Sequence, residues 1–231
     1  MLDFSRFKLL TFDCYGTMMD WESGIFSALR PIFAAHGKTI ADDQLLEIYA
    51  ELEQSAEASY KPYREVLQEV VRGFGERLGF KASQEEAGSL PESIRNWQPF
   101  PDTVDSLRAL KKRYTLAIIS NIDDDLFATS APKLGVSFDY VITAQQAQCY
   151  KPCERIFHLA QEKTQASRDG WLHVGQSIYH DVIPAKALGI STIRVKRPSP
   201  RAGAGATKAA SGKPDLEIPD LQTLAELASR A

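Results

Sequence analysis

Residues 9–17 read LLTFDCYGT, an apolar run followed by a carboxylate and a turn. The run ending at Phe12 predicts a buried strand, which delivers Asp13 to the carboxyl end of that strand. Gly16 permits a tight turn, and Thr17 supplies a hydroxyl beside the carboxylate. Because open α/β sheets bind ligands at the carboxyl ends of their strands, Asp13 is the first candidate for chemistry in this chain.

Strands and helices alternate along most of the remaining sequence. Apolar stretches that predict strands lie at 8–12, 115–119, 139–142, 171–174 and 191–195. Segments with helical spacing of apolar residues lie between them, at 103–113, 123–133, 153–164 and 181–188. This alternation predicts an α/β fold whose core is a Rossmann-like, doubly wound parallel sheet with helices on both faces.

Residues 20–98 follow a different pattern. Apolar residues repeat there at helical spacing, and no stretch predicts a strand. Ser83 and Glu86 have the spacing of a capping box at the start of a helix. We therefore predict a helical cap at 20–98, inserted into a catalytic core that is built from 1–19 and 99–231.

Residues 196–213 contain five basic residues and no acidic ones, among many Gly, Ala, Ser and Pro residues. That composition predicts a solvated, mobile loop, with the steering of a phosphate or substrate as the alternative interpretation. A short strand at 216–218 and a closing helix from about 220 are expected after it.

The composition of the 231 residues limits the classes of partner. A net charge of −3 gives no reason to expect nucleic acid, and no apolar run approaches the roughly 20 residues of a membrane span. The beginning of the chain lacks a signal-peptide pattern. Three cysteines, Cys14, Cys149 and Cys153, lack zinc-type spacing, as is typical of reduced thiols. We expect a cytoplasmic protein without a nucleic-acid or membrane partner.

Polar side chains lie at or just beyond the ends of later strands. Ser120 and Asn121 suit an anionic group, although an isolated Ser-Asn pair is more often a turn or a helix cap. Lys151 can hold Asp13 ionised, whereas most lysines are simply solvated. Asp181 can position a water molecule, pair with Lys151 or cap a helix. Together and in this order, these residues predict one constellation around Asp13.

The combined pattern resembles the four motifs of the haloacid dehalogenase superfamily over nearly the whole chain. It is most similar to the type II branch, which has Asp-x-Tyr-Gly-Thr, Ser-Asn, Tyr-Lys-Pro and a helical cap. Within that branch the motifs look most like those of azetidine-2-carboxylate hydrolase. The matching stretches are FDCYGT at 12–17, DWE at 20–22, SNID at 120–123 and YHD at 179–181.

The resemblance implies hydrolysis of a small 2-substituted carboxylic acid without a cofactor. Asp13 would attack C2 of the substrate to form an ester, which water then hydrolyses. Lys151 would orient Asp13, and Asp181 would help to place the water. Substrate-binding roles fall on Cys14, Tyr15, Thr17, Ser120, Asn121 and Gln176, with Ser120 and Asn121 holding the substrate carboxylate and Thr17 supporting the nucleophile loop. Members of the branch tend to be dimers, so a homodimer is expected.

A magnesium-dependent phosphatase of the same superfamily is one alternative. Such phosphatases place a general acid two residues after the nucleophile, where this chain has Tyr15, whose phenol pKa is ordinarily near ~10. They also hold Mg²⁺ with two acidic residues, and Gln176 stands at the first of those positions. Mg²⁺ is expected only under this alternative.

The leaving group is a second open question. Relatives in the branch bind halide with an arginine of the cap and have a tyrosine where this chain has Phe157. No arginine lies between Arg30 and Arg64, so Arg30, Lys61 and Arg64 are the candidate substitutes. Opening of a strained azetidine ring would use the same nucleophile without a halide site. Ligand binding without turnover is the non-enzymatic alternative.

Three further side chains near these motifs have possible roles. Cys14 adjoins the nucleophile, but strand alternation turns its thiol away from Asp13. His180 can act as a base or fill a structural role. Trp21 is expected to line the pocket.

Overall fold

A six-stranded, wholly parallel sheet forms the centre of the computed structural model, which describes residues 2–230. Its strands are β1 (Leu9–Phe12), β2 (Thr115–Ser120), β3 (Tyr140–Thr143), β4 (Trp171–Gly175), β5 (Ser191–Val195) and β6 (Leu216–Ile218). They lie in the order β3-β2-β1-β4-β5-β6. The chain thus builds the sheet outward from β1 on one side and then on the other. This is the doubly wound arrangement that the sequence predicts.

The register of the central strands sets the position of the site. Phe12 of β1 is level with Ile118 of β2 and Val174 of β4. All four residues of β1 are buried, as expected for a parallel sheet that is covered on both faces. Asp13, Ser120 and Gly175 therefore emerge beside one another, where the strand order reverses.

Helices flank the sheet and fill the segment after β1. The helices are α1 (Trp21–Ala35), α2 (Asp42–Ala56), α3 (Tyr63–Leu78), α4 (Gln84–Ser93), α5 (Thr103–Lys111), α6 (Asp124–Ser130), α7 (Ala144–Ala147), α8 (Arg155–Thr164), α9 (Ile183–Ala187) and α10 (Leu221–Ser229). Short 3₁₀ turns occur at Phe4–Arg6, Ile94–Asn96, Ala131–Leu134 and Arg168–Gly170, and a π-helical turn at Ile178–Val182. None of the helices in residues 2–230 is long and apolar enough to cross a membrane.

The segment from α1 to α4 holds no strand in its described residues. The capping box at the start of α4 is confirmed, because Ser83 and Glu86 each accept the backbone N–H of the other. The chain leaves and re-enters the sheet region at adjacent points, where the Asp20 N–H donates to the Gln98 carbonyl at 2.8 Å. The division into a cap at 20–98 and a core stays a prediction.

Part of the basic loop is packed against the protein, so the expectation of a wholly solvated segment was wrong. Residues 205–207 are buried, and the Ala206 N–H donates to the Glu22 carboxylate at 3.0 Å. Arg197 donates to the Thr17 carbonyl at 3.0 Å and to Asp102 at 2.7 Å. Small residues pack closely whatever their hydropathy, which is why composition alone did not reveal this contact.

Candidate active site

Lys151 lies between two carboxylates at the carboxyl end of the sheet. Its Nζ donates to Asp13 Oδ1 at 2.9 Å, to Asp181 Oδ1 at 2.7 Å and to the Ile119 carbonyl at 3.0 Å. The side chains of Lys151 and Asp181 are each only 1% exposed. All three donor positions of the ammonium are thereby satisfied, which such a deeply buried charge requires. The structure brings together the three predicted catalytic residues.

The charges of this trio stabilise one another. Burial by itself would lower the pKa of Lys151, but the adjacent Asp13 and Asp181 carboxylates outweigh burial and raise it. Burial also opposes the ionised form of Asp181. Lys151 and His173 outweigh the effect of burial, so the pKa of Asp181 is lowered. Burial raises the pKa of Asp13, although Lys151 and Thr17 favour its ionised form. A desolvated carboxylate of this kind is more nucleophilic than one in water.

Thr17 supports the Asp13 carboxylate, whereas the neighbouring Cys14 side chain packs in the core. Thr17 Oγ1 donates to Asp13 Oδ2 at 2.7 Å and accepts the Gln176 N–H at 2.9 Å. The Cys14 side chain is fully buried in the apolar core. Neither side chain lines the cavity beside Asp13. The prediction that Cys14 and Thr17 bind the substrate therefore does not fit the positions of their side chains.

Ser120 and Asn121 lie at the end of β2, but they differ in what they offer a ligand. The Asn121 amide donates to the Lys151 carbonyl at 3.3 Å and accepts the Lys151 N–H at 2.7 Å. Both ends of that amide therefore hold the lysine loop, so the predicted hold on a substrate carboxylate does not fit its geometry. Ser120 lines the cavity and is almost fully buried. Ser120 is thus the better placed of the two for contact with an anionic ligand.

Asp181 follows β4 through a close turn. Ser177 begins the π-helical turn by accepting the His180 N–H at 3.1 Å, and its own N–H donates to Asp181 Oδ2 at 3.1 Å. Asp181 is therefore a partner of Lys151 and not a helix cap. Gly175 approaches it so closely that an added Cβ would lie 2.4 Å from the carboxyl carbon of Asp181. Only glycine leaves room for the carboxylate beside Lys151.

We expect Gly175→Ala to lower kcat by about 10²-fold, because it displaces Asp181 from Lys151 by an ångström or so. Steady-state kinetics on the substrates named below measure the effect. Gly88→Ala in α4 is the matched control, since an added Cβ there meets no atom within 4 Å. It should leave kcat unchanged and stabilise the helix by about 0.5–1 kcal/mol. Full activity in Gly175→Ala would contradict the assigned role of this contact.

A cavity of about 40 Å³ opens above Asp13 and suits only a small molecule. On the sheet side it is lined by seven of the predicted site residues: Asp13, Tyr15, Ser120, Asn121, Lys151, Gln176 and Asp181. The helical segment contributes Trp21, Glu53, Glu57 and Tyr63, and the basic loop contributes Thr207. Sequence reasoning missed Glu53 and Glu57. The sequence does contain a signal for Glu53, because it is a charged residue on the buried face of α2, four residues after Tyr49.

The candidate substitutes for the halide-binding arginine all lie elsewhere, which corrects that expectation. Arg30 pairs with Asp42, Lys61 with Glu69 and Arg64 with Asp125 and Glu92. Lys151 is the one lysine or arginine side chain on the cavity wall in the part of the chain that the structure describes.

The aromatic residues around the cavity have distinct environments. Trp21 lines it as expected, and its buried indole N–H has no partner among residues 2–230. The Tyr15 hydroxyl donates to Ser130 at 2.9 Å, and burial raises its pKa well above the ordinary value. Phe157 packs against the His173 ring away from the cavity. His180 lines the cavity, and burial lowers its pKa to about 4, so its ring is uncharged near neutral pH.

The residues present are a poor match for Mg²⁺. The Lys151 ammonium bridges Asp13 and Asp181, the two carboxylates that would otherwise be available to a divalent cation. Gln176 contributes a neutral amide, which is a weaker ligand for a hard cation than a carboxylate. Residues 2–230 contain no group of three or more His, Cys, Asp or Glu side chains arranged to hold a metal ion.

Comparison with known proteins identifies a family and several relatives. The family model of haloacid dehalogenase-like hydrolases matches residues 7–189. The (S)-2-haloacid dehalogenase of Pseudomonas sp. (strain YL) is 26% identical, with 95% of this chain and 94% of that protein covered. Haloacetate dehalogenase H-2 of Moraxella sp. (strain B) is 28% identical, with 83% and 87% covered.

Solved structures give the same result for the fold. The L-2-haloacid dehalogenase from Xanthobacter autotrophicus superposes with a TM-score of 0.81 at 21% identity, covering 96% of this chain and 98% of that one. These relatives confirm the resemblance to the type II branch, whereas the closer likeness to azetidine-2-carboxylate hydrolase stays a prediction. The chain belongs to the haloacid dehalogenase-like hydrolase family.

Proposed function

We propose that the chain hydrolyses a short carboxylic acid substituted at C2 through a covalent ester on Asp13, without a metal ion. The observation that carries this proposal is the Lys151 ammonium, which hydrogen-bonds both Asp13 and Asp181 inside a small cavity. The ammonium holds the nucleophile in place, and Thr17 fixes its other oxygen. The site therefore suits in-line attack by a carboxylate better than metal-assisted transfer of a phosphoryl group.

The proposed reaction has two steps. Asp13 attacks C2, and the bond between C2 and the leaving group breaks with its electron pair going to that group. Water then attacks the carbonyl carbon of the Asp13 ester and releases the 2-hydroxy acid. In this proposal the substrate carboxylate is received by the Ser120 hydroxyl and by the Trp21 indole N–H, which has no partner in the described chain; both residues line the cavity. Asp181 holds Lys151 and borders the space through which water reaches the ester.

Halide is the first candidate leaving group, because the relatives are named as haloacid dehalogenases. A strained ring nitrogen at C2, as in azetidine-2-carboxylate, is the second. The observation that favours the second is the cavity wall formed by the helical segment, which carries Glu53 and Glu57 and no arginine among its described residues. A cytoplasmic location and a homodimer remain part of the proposal.

Single turnover in H₂¹⁸O with chelator present tests the mechanism. Enzyme in excess is mixed with L-2-chloropropionate, L-azetidine-2-carboxylate or p-nitrophenyl phosphate, and mass spectrometry follows product and the peptide containing Asp13. We expect ¹⁸O in Asp13 and unlabelled oxygen in the first product of a carboxylic acid. Label in the product alone would show direct attack by water. Turnover of the phosphate only, and only with Mg²⁺, would show that the chain is a phosphatase.

A further inference from the structure

A short stretch of the basic loop forms part of the cavity wall. Residues 205–207, which we call the wall segment, are buried, whereas the loop residues on either side of them are partly or fully exposed. Thr207 of this segment lines the cavity together with Asp13 and Lys151. Gly, Ala and Thr side chains bury little apolar surface, so polar contacts are needed to hold the wall segment against the site.

Hydrogen bonds to the backbone fix the wall segment in place. Arg201 Nη1 donates to the Gly205 carbonyl at 3.0 Å and to the Thr207 carbonyl at 2.9 Å. The Ala206 N–H donates to Glu22 Oε1 at 3.0 Å. Arg201 belongs to the same loop and closes the turn on itself, whereas Glu22 belongs to the first turn of α1. The contact with Glu22 therefore ties the wall segment to the helical segment.

Glu22 is a buried carboxylate whose position follows from this contact. It is only 7% exposed, and it is not among the cavity-lining side chains of residues 2–230. Burial raises the pKa of Glu22, although hydrogen bonds from Ser199 and from the Ala206 N–H favour its ionised form. Both of these donors lie in the basic loop. Because a buried carboxylate is unfavourable without such donors, we infer that Glu22 serves the loop and not the substrate directly.

Gly205 packs so closely against its neighbours that there is no room for a side chain. An added Cβ would lie 2.2 Å from Glu22 Oε1 and 3.0 Å from Gln176 Nε2. The Gly205 φ of +59° also lies in the left-handed region that favours glycine. Since Gln176 lines the cavity, the wall segment lies between Glu22 on α1 and a residue of the site. A shift of Glu22 would therefore move Thr207 as well.

Thr207 offers the cavity bulk more than hydrogen-bonding capacity. Its hydroxyl donates to the Ala204 carbonyl at 2.7 Å, so the hydroxyl proton is already used within the turn. The cavity holds only about 40 Å³. In a closed pocket, one added methylene changes selectivity between ligands by about 10–200-fold. The volume of a single side chain on this wall is therefore enough to decide which ligands fit.

We propose that Thr207 limits the size of the acid that the cavity admits, and that Glu22 is the positioning residue that holds Thr207 in place. This rests on the carboxylic acid site proposed above. Glu22 acts through the Ala206 N–H and touches no substrate. Loss of this anchor widens the cavity on the side of the basic loop and leaves the hydrogen bonds among Asp13, Lys151 and Asp181 intact.

Limited digestion with trypsin tests the anchor without any substrate. Trypsin can cleave after Arg201, and mass spectrometry of the fragments identifies that bond. We expect Glu22→Ala to speed this cleavage at least about tenfold, because the loop then opens more often. Glu22→Gln keeps an oxygen that accepts the Ala206 N–H, so its cleavage rate should stay within about twofold of the parent. Equal rates in the parent and in Glu22→Ala would overturn the role of Glu22.

Gly205→Ala tests the same contact from the side of the loop. Its matched control is Gly203→Ala, because Gly203 also has a left-handed φ, of +87°, but an added Cβ there meets no atom within 4 Å. Both variants therefore introduce backbone strain, and only Gly205→Ala collides with Glu22. We expect cleavage after Arg201 to speed up at least about tenfold in Gly205→Ala and less than about threefold in Gly203→Ala. Equal rates in the two variants would contradict the close contact.

Binding of unreactive acids tests the size limit. Propanoate, butanoate and pentanoate are titrated into the protein and followed by NMR, which measures weak affinities. We expect the parent to bind propanoate at least about tenfold more tightly than pentanoate. This ratio should fall below about threefold in Thr207→Ser, which lacks the methyl group, and in Glu22→Ala. It should persist in Thr207→Val, which keeps the shape, and in Glu22→Gln.

An unchanged ratio in Thr207→Ser and Glu22→Ala would overturn the proposal, and so would a parent that binds pentanoate as tightly as propanoate. A purely structural role of Glu22 would weaken all three acids alike and leave the ratio unchanged. Because these acids carry no leaving group, failure of the ester mechanism would appear only in the H₂¹⁸O experiment. If the parent binds none of the acids, the carboxylic acid site and the size limit both fail, whereas the trypsin comparison still decides whether Glu22 anchors the loop.

Discussion

We expect replacement of Asp13 by Asn to lower turnover of any carboxylic acid substrate by at least about 10⁴-fold, because it removes the carboxylate that the proposed mechanism uses as its nucleophile. The amide keeps the volume of the side chain and can still accept a hydrogen bond from Lys151. The fold should therefore persist, and near-ultraviolet circular dichroism should match that of the parent. The measurement is kcat by product chromatography, with burst experiments to detect an ester.

Asp105→Asn is the matched control for this substitution. Asp105 makes an exposed ion pair with Arg108 on α5, and its side chain is 90% exposed. The same chemical change there should leave kcat within about twofold of the parent, because exposed pairs contribute little. Substantial residual turnover in Asp13→Asn, together with an unlabelled Asp13 peptide in H₂¹⁸O, would exclude the ester mechanism.

Replacing Lys151 by Met should have the largest effect on stability. Met has a similar length but no charge, so the buried Asp13 and Asp181 carboxylates would face each other without a cation. Removal of one partner from a buried charge network typically costs about 3–5 kcal/mol, and we expect a loss of this size in urea unfolding near neutral pH. Turnover should also be lost, since nothing then orients the nucleophile.

Acid should relieve this loss in the Lys151→Met protein. The facing carboxylates have raised pKa values in the folded state of that variant, so protonation stabilises it and the deficit shrinks as pH falls toward their unfolded values. A second substitution, Asp181→Asn, should restore part of the stability for the same reason. The control is Lys186→Met, whose pair with Asp215 is partly exposed, and it should cost less than about 1 kcal/mol. Similar losses in both variants would contradict the buried network.

The main features of the fold were predictable because each is encoded locally. A buried apolar run followed by Asp13 specifies a strand and its functional end, and the same pattern recurs before Ser120 and before Gly175. Parallel strands align their carboxyl ends, so the order of the motifs was enough to expect that Asp13, Lys151 and Asp181 would meet. The structure brings them within hydrogen-bonding distance.

Other features depended on how elements dock against one another. Sequence spacing alone did not indicate that the Asn121 amide would be used by the backbone of Lys151, since these residues lie 30 positions apart. It did not indicate that residues 205–207 would pack against Glu22 and close one side of the cavity. Polar and small residues have no strong preference for burial, so their contacts follow from tertiary packing.

By itself, the sequence determined the α/β sheet, the position of Asp13 and the lysine that accompanies it, because these follow from hydrophobic periodicity and from strand ends. Only the tertiary structure decided what faces Asp13. The face of α2 that meets the cavity is set by the docking of the helical segment, and this docking places Glu53 and Glu57 there while Arg30 and Arg64 point to surface partners. The sign of the charge that faces Asp13 across the cavity is therefore a property of the packed molecule, since it depends on contacts between residues far apart in the chain.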